Sequence, residues 1–204
     1  MGWIEAIATL FGVLCVLLLI KRVIWAWPIG LVQVVLFAWI FFQVKLYSDM
    51  VLHLIYVVLQ GWGWYHWLHG GKDDQALPMT RLTARALGWW GLIALAAAAV
   101  WGYGMQRWTD ASMVYPDAFV ATASLVAQWL LTRKVLETWI FWIVVDVVAI
   151  WIYLAKQLYF TSGLYSLFLV MAIAGYIEWR RAWKRESTVS PNTVGASAPG
   201  AARL

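Results

Sequence analysis

Long apolar runs constrain the fold of this chain more than any other feature of its sequence. A helix that crosses about 30 Å of hydrocarbon needs roughly 20 mostly apolar residues. Hydrophobic residues make up 64% and charged residues 12% of the 204 residues, against about 25% charged residues in soluble domains. We therefore predict an all-α integral membrane protein with seven transmembrane helices, at residues 3–20, 25–42, 50–67, 86–103, 116–131, 138–154 and 159–177.

Lysine and arginine counts predict the orientation, because cytoplasmic segments of membrane proteins carry an excess of these residues. With the C-terminus inside, the inner segments hold twelve of them, and the outer ones hold Lys45, Arg107 and Lys156. We therefore expect an outer N-terminus and a cytoplasmic C-terminus. Residues 187–204 are too poor in large apolar side chains to fold, which predicts a disordered tail.

An internal repeat appears when the chain is aligned with itself at an offset of 112 residues. Three pairs of tryptophans coincide, and so do Lys21-Arg22 with Arg133-Lys134 and Gly63 with Gly175. The tryptophan pairs are Trp27 with Trp139, Trp39 with Trp151, and Trp67 with Trp179. Residues 1–68 and 116–186 are then two three-helix repeats, and residues 69–115 hold a cytoplasmic loop, a linker helix and an outer loop. The linker span restores the starting side of the membrane, which predicts a 3+1+3 parallel repeat of the SWEET type.

The most informative polar residue within a predicted span is Asp146. A carboxylate at the centre of a transmembrane helix costs about 2.5–3.5 kcal/mol, so such groups usually face a cavity or a partner. Trp139 and Trp142 precede Asp146 by seven and four residues, which puts all three on one helix face. Two indoles and a carboxylate suit a flat cationic ring through stacking, cation–π attraction and charge. The alternative is an aspartate that bonds a neighbouring helix beside two interfacial tryptophans.

A second polar and aromatic face lies in the first repeat. Gln33 is in the middle of the second span, and the third span carries His53, Tyr56, Gln60 and Trp64 along one face. The amides would suit a sugar hydroxyl or a ligand amide, although they would equally serve as bonds between helices. Two further polar residues, Ser124 and Gln128, lie one helical turn apart in the fifth span, and we interpret them as packing residues.

The sequence lacks the usual patterns of enzymes and metal sites. His66 and His69 are three residues apart without a clear third ligand, which is a weak metal signal. There is no P-loop motif, and no Ser or Cys nucleophile has an evident His partner. We therefore predict no catalytic residues, no metal and no cofactor.

Four segments make the chain similar to a known family. They are WIEAIATLFGVLCV, FFQVKLYSDMVLHLIYVVLQGWGWYHW, LLTRKVLETWIFWIVVDVVAIWIY and GYIEWRRAW. Over roughly residues 3–183 the chain resembles the PnuC-type vitamin transporters, whose best-known members carry nicotinamide riboside. The resemblance implies the 3+1+3 fold, a bacterial inner membrane, and facilitated diffusion followed by trapping of the vitamin by a cytosolic kinase.

The chain departs from the family pattern at positions expected to touch ligand. Where the family has asparagine, this chain has Thr138, and asparagine is also common at the positions of Gln33, Gln60 and Asp146, as is glutamine at His53. Nicotinamide riboside is the best match to an anionic, aromatic site, and thiamine, also cationic, is the alternative. Riboflavin is neutral and larger, so we place it third.

A seven-helix bundle of this kind need not transport a solute. A membrane sensor or assembly subunit could have the same helices without a transport pathway. We expect the lipid bilayer and a small-molecule vitamin as partners and no nucleic acid. The sequence leaves a homo-oligomer, the gating residues and ion coupling open.

Overall fold

Seven α-helices form the described part of the chain, which comprises residues 2–43, 45, 47–108 and 113–189 of the computed structural model. The helices are α1 Gly2–Ile20, α2 Ala26–Gln43, α3 Tyr47–His69, α4 Ala84–Trp108, α5 Val114–Thr132, α6 Thr138–Ala155 and α7 Tyr159–Val189. Each predicted span therefore corresponds to one helix. The apolar runs determine these helices because no other regular structure satisfies a single segment's backbone hydrogen bonds in lipid.

Two helices differ from their predictions. Of the described helices, six are long and apolar enough to cross a membrane, and α3 falls outside this group. Its polar residues, such as Asp49, His53 and Gln60, lower its mean hydropathy. Helix α7 continues to Val189, although its predicted span ends at residue 177. The prediction of a disordered tail from residue 187 is therefore wrong for 187–189, where the helix continues, and positions 190–204 lie outside the described residues.

The helices pack mainly against their neighbours in the sequence. Helix α2 lies between α1 and α3, and α6 lies between α5 and α7, while α4 packs on α5. The two triplets, α1–α3 and α5–α7, meet where α1 packs against α7 and α3 against α5. Fully buried alanines, such as Ala8, Ala26 and Ala127, bring the helix backbones close together.

The two triplets make matching contacts at the offset of 112 residues, and we call two residues at this offset mates. The turn after α1 has Arg22 at φ 58°, and the turn after α5 has its mate Lys134 at φ 52°. The turns at the other ends match as well, with Lys45 at 61° and Gln157 at 58°. These non-glycine residues in the left-handed region are rare, so their recurrence indicates a common backbone path.

Four tryptophans close one end of the bundle, which we call the basic end because Lys21, Arg22, Arg133 and Lys134 lie there. The Trp27 and Trp67 rings meet edge to face at 5.3 Å, and the mated rings of Trp139 and Trp179 do so at 5.6 Å. Trp67 and Trp179 also contact each other, with ring centroids 5.9 Å apart.

Each of these central tryptophans bonds the opposite triplet. Trp67 Nε1 donates to the Leu131 carbonyl, and Trp179 Nε1 donates to the Leu19 carbonyl, both at 2.9 Å. Leu19 and Leu131 are themselves mates. The two triplets are therefore joined at the basic end by two equivalent hydrogen bonds, one from each triplet to the other.

The loop between α3 and α4 crosses from the first triplet to the second. Leu136 N donates to Thr80 O at 3.0 Å, and Lys134 Nζ donates to Leu77 O at 2.8 Å. Glu137 accepts from Arg81 Nε at 2.9 Å and from Leu82 N at 2.8 Å. Burial, and then the nearby charge of Arg22, lower the pKa of Lys134 below its usual value. Glu137 is thus a structural anchor for this loop, and its mate Trp25 has no such role because it is 65% exposed.

Candidate substrate-binding cavity

A cavity of about 610 Å³ lies between the two triplets. At the basic end its walls include Leu19, Leu131 and Trp139, which belong to the closed tryptophan cluster or bond to it. Towards the opposite end the walls include Asp49 and Lys156. The cavity volume is in the range of small-molecule sites, which is about 300–1,000 Å³.

Seven of the eight predicted site residues line this cavity. The second triplet contributes Trp139, Trp142 and Asp146, and the first contributes Gln33, His53, Tyr56 and Gln60. Trp64 is not among the lining residues and is 37% exposed on the outside of the bundle. Trp64 lies one helical turn, about 6 Å, beyond Gln60, the last residue of α3 that lines the cavity, and so it lies beside the closed basic end instead of the cavity. The cavity geometry does not support the prediction for Trp64.

Asp146 is buried, with 4% of its surface exposed, and it lines the cavity. Within the described residues it makes no hydrogen bond and no ion pair with a neighbouring helix. Its mate is the apolar Val34, which lines the opposite wall and is 5% exposed. The helix packing therefore does not require a carboxylate at this position, so the negative charge is available to a ligand.

The two predicted tryptophans differ in what they offer a ligand. Trp139 is 2% exposed, and its ring packs on Gly175, where an added Cβ would lie 2.7 Å from the indole. Trp142 is only partly buried and packs between the two apolar clusters. Trp142 therefore has more uncovered ring surface for a flat ring than Trp139.

The two glutamines of the first triplet rest on glycines. The Gln33 amide lies above Gly12, where an added Cβ would be 3.0 Å from Nε2. The Gln60 amide lies above Gly30, where an added Cβ would be 2.5 Å from Nε2 and 2.8 Å from Cys15 Sγ. These glycines leave room for the amides to lie against the helices at the cavity wall. The neighbouring helix therefore restricts each amide.

Aromatic side chains line the half of the cavity further from the basic end. The His53 ring contacts Phe41 at 4.9 Å and Tyr56 at 5.7 Å, measured between centroids. Across the cavity, Tyr153 and Tyr165 pack at 5.1 Å. At the mouth, Lys156 Nζ pairs with Asp117 Oδ2 at 2.9 Å.

The two walls of the cavity have matching positions but different chemistry. In seven pairs of mates among the described lining residues, only one member has a polar side chain; the first triplet supplies three of these side chains and the second supplies four. The pairs are Gly12 with Ser124, Val16 with Gln128, Gln33 with Val145, Val34 with Asp146, Phe41 with Tyr153, Tyr56 with Phe168, and Gln60 with Ala172. The cavity is thus symmetric in shape and asymmetric in polarity, which suits a ligand with two unlike ends.

Sequence reasoning misses seven polar residues that line the cavity: Asp49, Asp117, Ser124, Gln128, Tyr153, Lys156 and Tyr165. The sequence favours packing roles for Ser124 and Gln128, yet both are buried and face the cavity. The tyrosines lie near the helix ends, where an aromatic belt is the ordinary expectation. The repeat itself is the available signal, because mates of predicted site residues lie on the facing wall, and Tyr165 is the mate of His53.

Comparison with known proteins identifies the family. The family described as nicotinamide mononucleotide transporter matches residues 2–181. The chain belongs to this family. The resemblance to PnuC-type transporters is thereby confirmed, and members of this family are multi-pass inner-membrane transporters rather than enzymes.

Relatives of known function and structure cover most of the chain. The nicotinamide riboside transporter PnuC of Escherichia coli (strain K12) is 28% identical, over 88% of this chain and 85% of the relative. The riboflavin/roseoflavin transporter RibM of Streptomyces davaonensis is 24% identical, over 91% and 88%. The crystal structure of the vitamin B3 transporter PnuC superposes with a TM-score of 0.72 and 26% identity, over 90% of this chain and 83% of that one. None of these three is named for thiamine, so the thiamine alternative has no support.

Thr138, a position at which the resemblance implies an asparagine, has a structural role. Thr138 is fully buried and does not line the cavity. Its hydroxyl donates to the Ala127 carbonyl at 2.7 Å. Its mate, Ala26, accepts a hydrogen bond from Cys15 Sγ at 3.3 Å, and Cys15 is the mate of Ala127. The same pair of positions is therefore bonded in both triplets, with donor and acceptor exchanged.

No group of His, Cys, Asp or Glu suited to a metal occurs among the described residues, His66 and His69 included.

Proposed function

We propose that this protein transports a vitamin-sized, cationic, ring-containing solute by facilitated diffusion, and that the solute is nicotinamide riboside. The observation that carries the proposal is the buried Asp146 carboxylate, which has no partner on a neighbouring helix within the described residues and shares a cavity with Trp142. A pyridinium ring would stack on the indole, and its fixed charge would compensate the carboxylate. The name of the Escherichia coli relative supports the same solute.

Riboflavin is the second candidate, because the Streptomyces relative is named for it. Riboflavin is neutral, so it would leave the buried carboxylate uncompensated, which is costly in a water-poor site. On this physical ground nicotinamide riboside is preferred.

The transport mechanism follows from a proposed parallel repeat. We propose that all seven helices span the membrane, α3 included, and that the two triplets form a 3+1+3 arrangement with α4 as linker. The mated turns and tryptophan contacts support this arrangement, and the 23 residues of α3 span about 34 Å. Rocking of one triplet against the other would open the cavity alternately at its two ends.

We further propose that the basic end faces the cytoplasm, with the N-terminus outside. The excess of lysine and arginine at this end supports the orientation. A cytosolic enzyme would then phosphorylate the imported solute and prevent its return. The chain would need no energy source of its own.

Uptake into proteoliposomes tests the transport proposal. With no membrane potential, labelled nicotinamide riboside should equilibrate across the vesicle membrane without accumulating, and riboflavin should enter much more slowly. Saturable binding without vesicle filling would instead indicate a sensor. Accumulation driven by an imposed proton or sodium gradient would contradict facilitated diffusion.

A reporter fusion tests the orientation. A reporter that works only in the cytoplasm should be active when it is fused after Arg185 and inactive when it is placed between Gln106 and Met113. The reverse pattern would overturn the orientation and leave the family assignment unaffected.

A further inference from the structure

The side chain of Gln128 has an unused hydrogen-bond donor at the cavity. Gln128 is 5% exposed and lines the cavity wall on α5. Its Nε2 atom is buried and has no hydrogen-bond partner within the described part of the chain. Buried polar groups almost always have partners, and an exception needs an explanation such as a functional role.

Comparison of the two triplets separates Gln128 from the other unpartnered donors. Trp27 Nε1 and Trp139 Nε1 are also buried without partners among the described residues, but these residues are mates, so their state belongs to the shared architecture. The mate of Gln128 is Val16, which lines the cavity at the matching position. The shared packing therefore accepts an apolar side chain there, and the amide of Gln128 has no evident role in the fold.

Gln128 lies at the same depth in the bundle as Trp142. Helix α5 ends four residues after Gln128, at Thr132, and α6 begins four residues before Trp142, at Thr138. With a rise of about 1.5 Å per residue, both side chains start about 6 Å from the basic end. The two helices are in contact. Asp146 and Ser124 lie one helical turn further from the basic end than Trp142 and Gln128, and at the same depth as each other.

We infer that the Gln128 amide is a substrate-binding donor that recognises a neutral carbonyl oxygen on the ring held by Trp142. This inference rests on the proposed function and deepens it, because it identifies a second feature of the solute besides its positive charge. The amide carries no charge and would not require an anionic substituent. The site would thus select a ring that bears a carboxamide over the same ring without one.

Binding of two ligands to purified protein tests the inference. The ligands are nicotinamide riboside and the pyridinium riboside that lacks the carboxamide, titrated against wild type and Gln128→Met, which keeps the bulk and removes the donor. Wild type should bind nicotinamide riboside about tenfold more tightly than the analogue. In Gln128→Met this ratio should fall to about one. The control is Gln75→Met, the same substitution at an exposed glutamine outside the cavity, which should keep the tenfold ratio.

The outcomes distinguish this inference from the proposed function. A ratio that stays near ten in Gln128→Met would overturn the inference while nicotinamide riboside remains the substrate. If wild type binds neither compound, the proposed substrate fails and the inference fails with it. If Gln128→Met does not fold, Gln128→Val can replace it, because valine is the residue at the mated position, Val16. A wild-type protein that binds nicotinamide riboside and the analogue with equal affinity would overturn the inference without any variant.

Discussion

The first triplet, α1–α3, and the second, α5–α7, agree at the basic end and differ along the cavity. At the basic end the tryptophan pairs, the left-handed turns and the cross-triplet hydrogen bonds occur twice. At most mated positions along the cavity, a polar side chain in one triplet has an apolar mate in the other, as Asp146 and Val34 do. The difference indicates that the matched contacts at the basic end maintain the fold, while the packing leaves the polarity of the cavity walls free to differ between the triplets.

The largest expected effect tests the matched glycines that lie beneath the tryptophans. An added Cβ at Gly63 would lie 2.0 Å from the Trp27 ring, and one at Gly175 would lie 2.7 Å from the Trp139 ring. We expect Gly63→Ala to destabilise the protein by about 3 kcal/mol and Gly175→Ala by somewhat less. Thermal unfolding in detergent measures both.

The controls for these substitutions are Gly61→Ala and Gly163→Ala, because an added Cβ at either position meets nothing within 4 Å. Both controls should be as stable as wild type. If Gly63→Ala proves as stable as its control, the close packing of the tryptophans is not needed for stability.

The next effect concerns the unmatched carboxylate. Asp146→Asn keeps the shape and removes the charge, so affinity for nicotinamide riboside should fall by about 1.5–3 kcal/mol, which is roughly tenfold or more. The affinity of Asp146→Asn for a neutral riboside should fall much less. Titration of each variant, normalised to folded protein, measures the change. Equal dissociation constants for the charged solute would contradict the role of Asp146, whereas lower stability alone would indicate a structural one.

A smaller effect tests whether the two cross-triplet bonds are equivalent. Trp67→Phe and Trp179→Phe each remove one indole N–H and leave a smaller ring in a buried cluster. The lost hydrogen bond should destabilise the closed basic end by about 1 kcal/mol, and the void beside the smaller ring should add the same further cost in both variants. Transport rates in proteoliposomes and unfolding in detergent should change by similar amounts in the two variants. A difference of more than about fivefold in rate would mean that one triplet controls the opening at this end.

The smallest effect tests the exchanged hydrogen bond. Thr138→Cys introduces in the second triplet the weaker thiol donor that Cys15 supplies in the first. We expect a loss of less than about 1 kcal/mol in stability and no change in affinity, because Thr138 does not line the cavity. A clear loss of affinity at unchanged stability would show that this position reaches the solute after all.

Much of the fold could be predicted because the signals are local. Apolar runs determine where a helix crosses lipid, and the ends of α1 and α6 lie within one residue of their predicted bounds. The length of α7 could not be predicted this way, because its last turns are polar on one side and are held by contacts such as Arg22 with Glu186, 164 residues apart. Hydropathy does not report such contacts.

The sequence by itself determined the membrane class, the order of the helices and the offset of 112 residues. It also indicated Asp146, because a carboxylate on an apolar helix is costly in lipid, and Trp142, because it lies one helical turn from Asp146 on the same face. Only the tertiary structure separated two cavity residues from Thr138 and Glu137, which bond neighbouring segments. The cavity residues are Gln128, whose Nε2 has no hydrogen-bond partner among the described residues, and Asp146, which lines the same cavity. In a sequence, a buried polar residue that bonds a neighbouring helix looks the same as one that bonds a solute. The packing of the helices decides between the two, because it determines which surfaces lie next to the side chain.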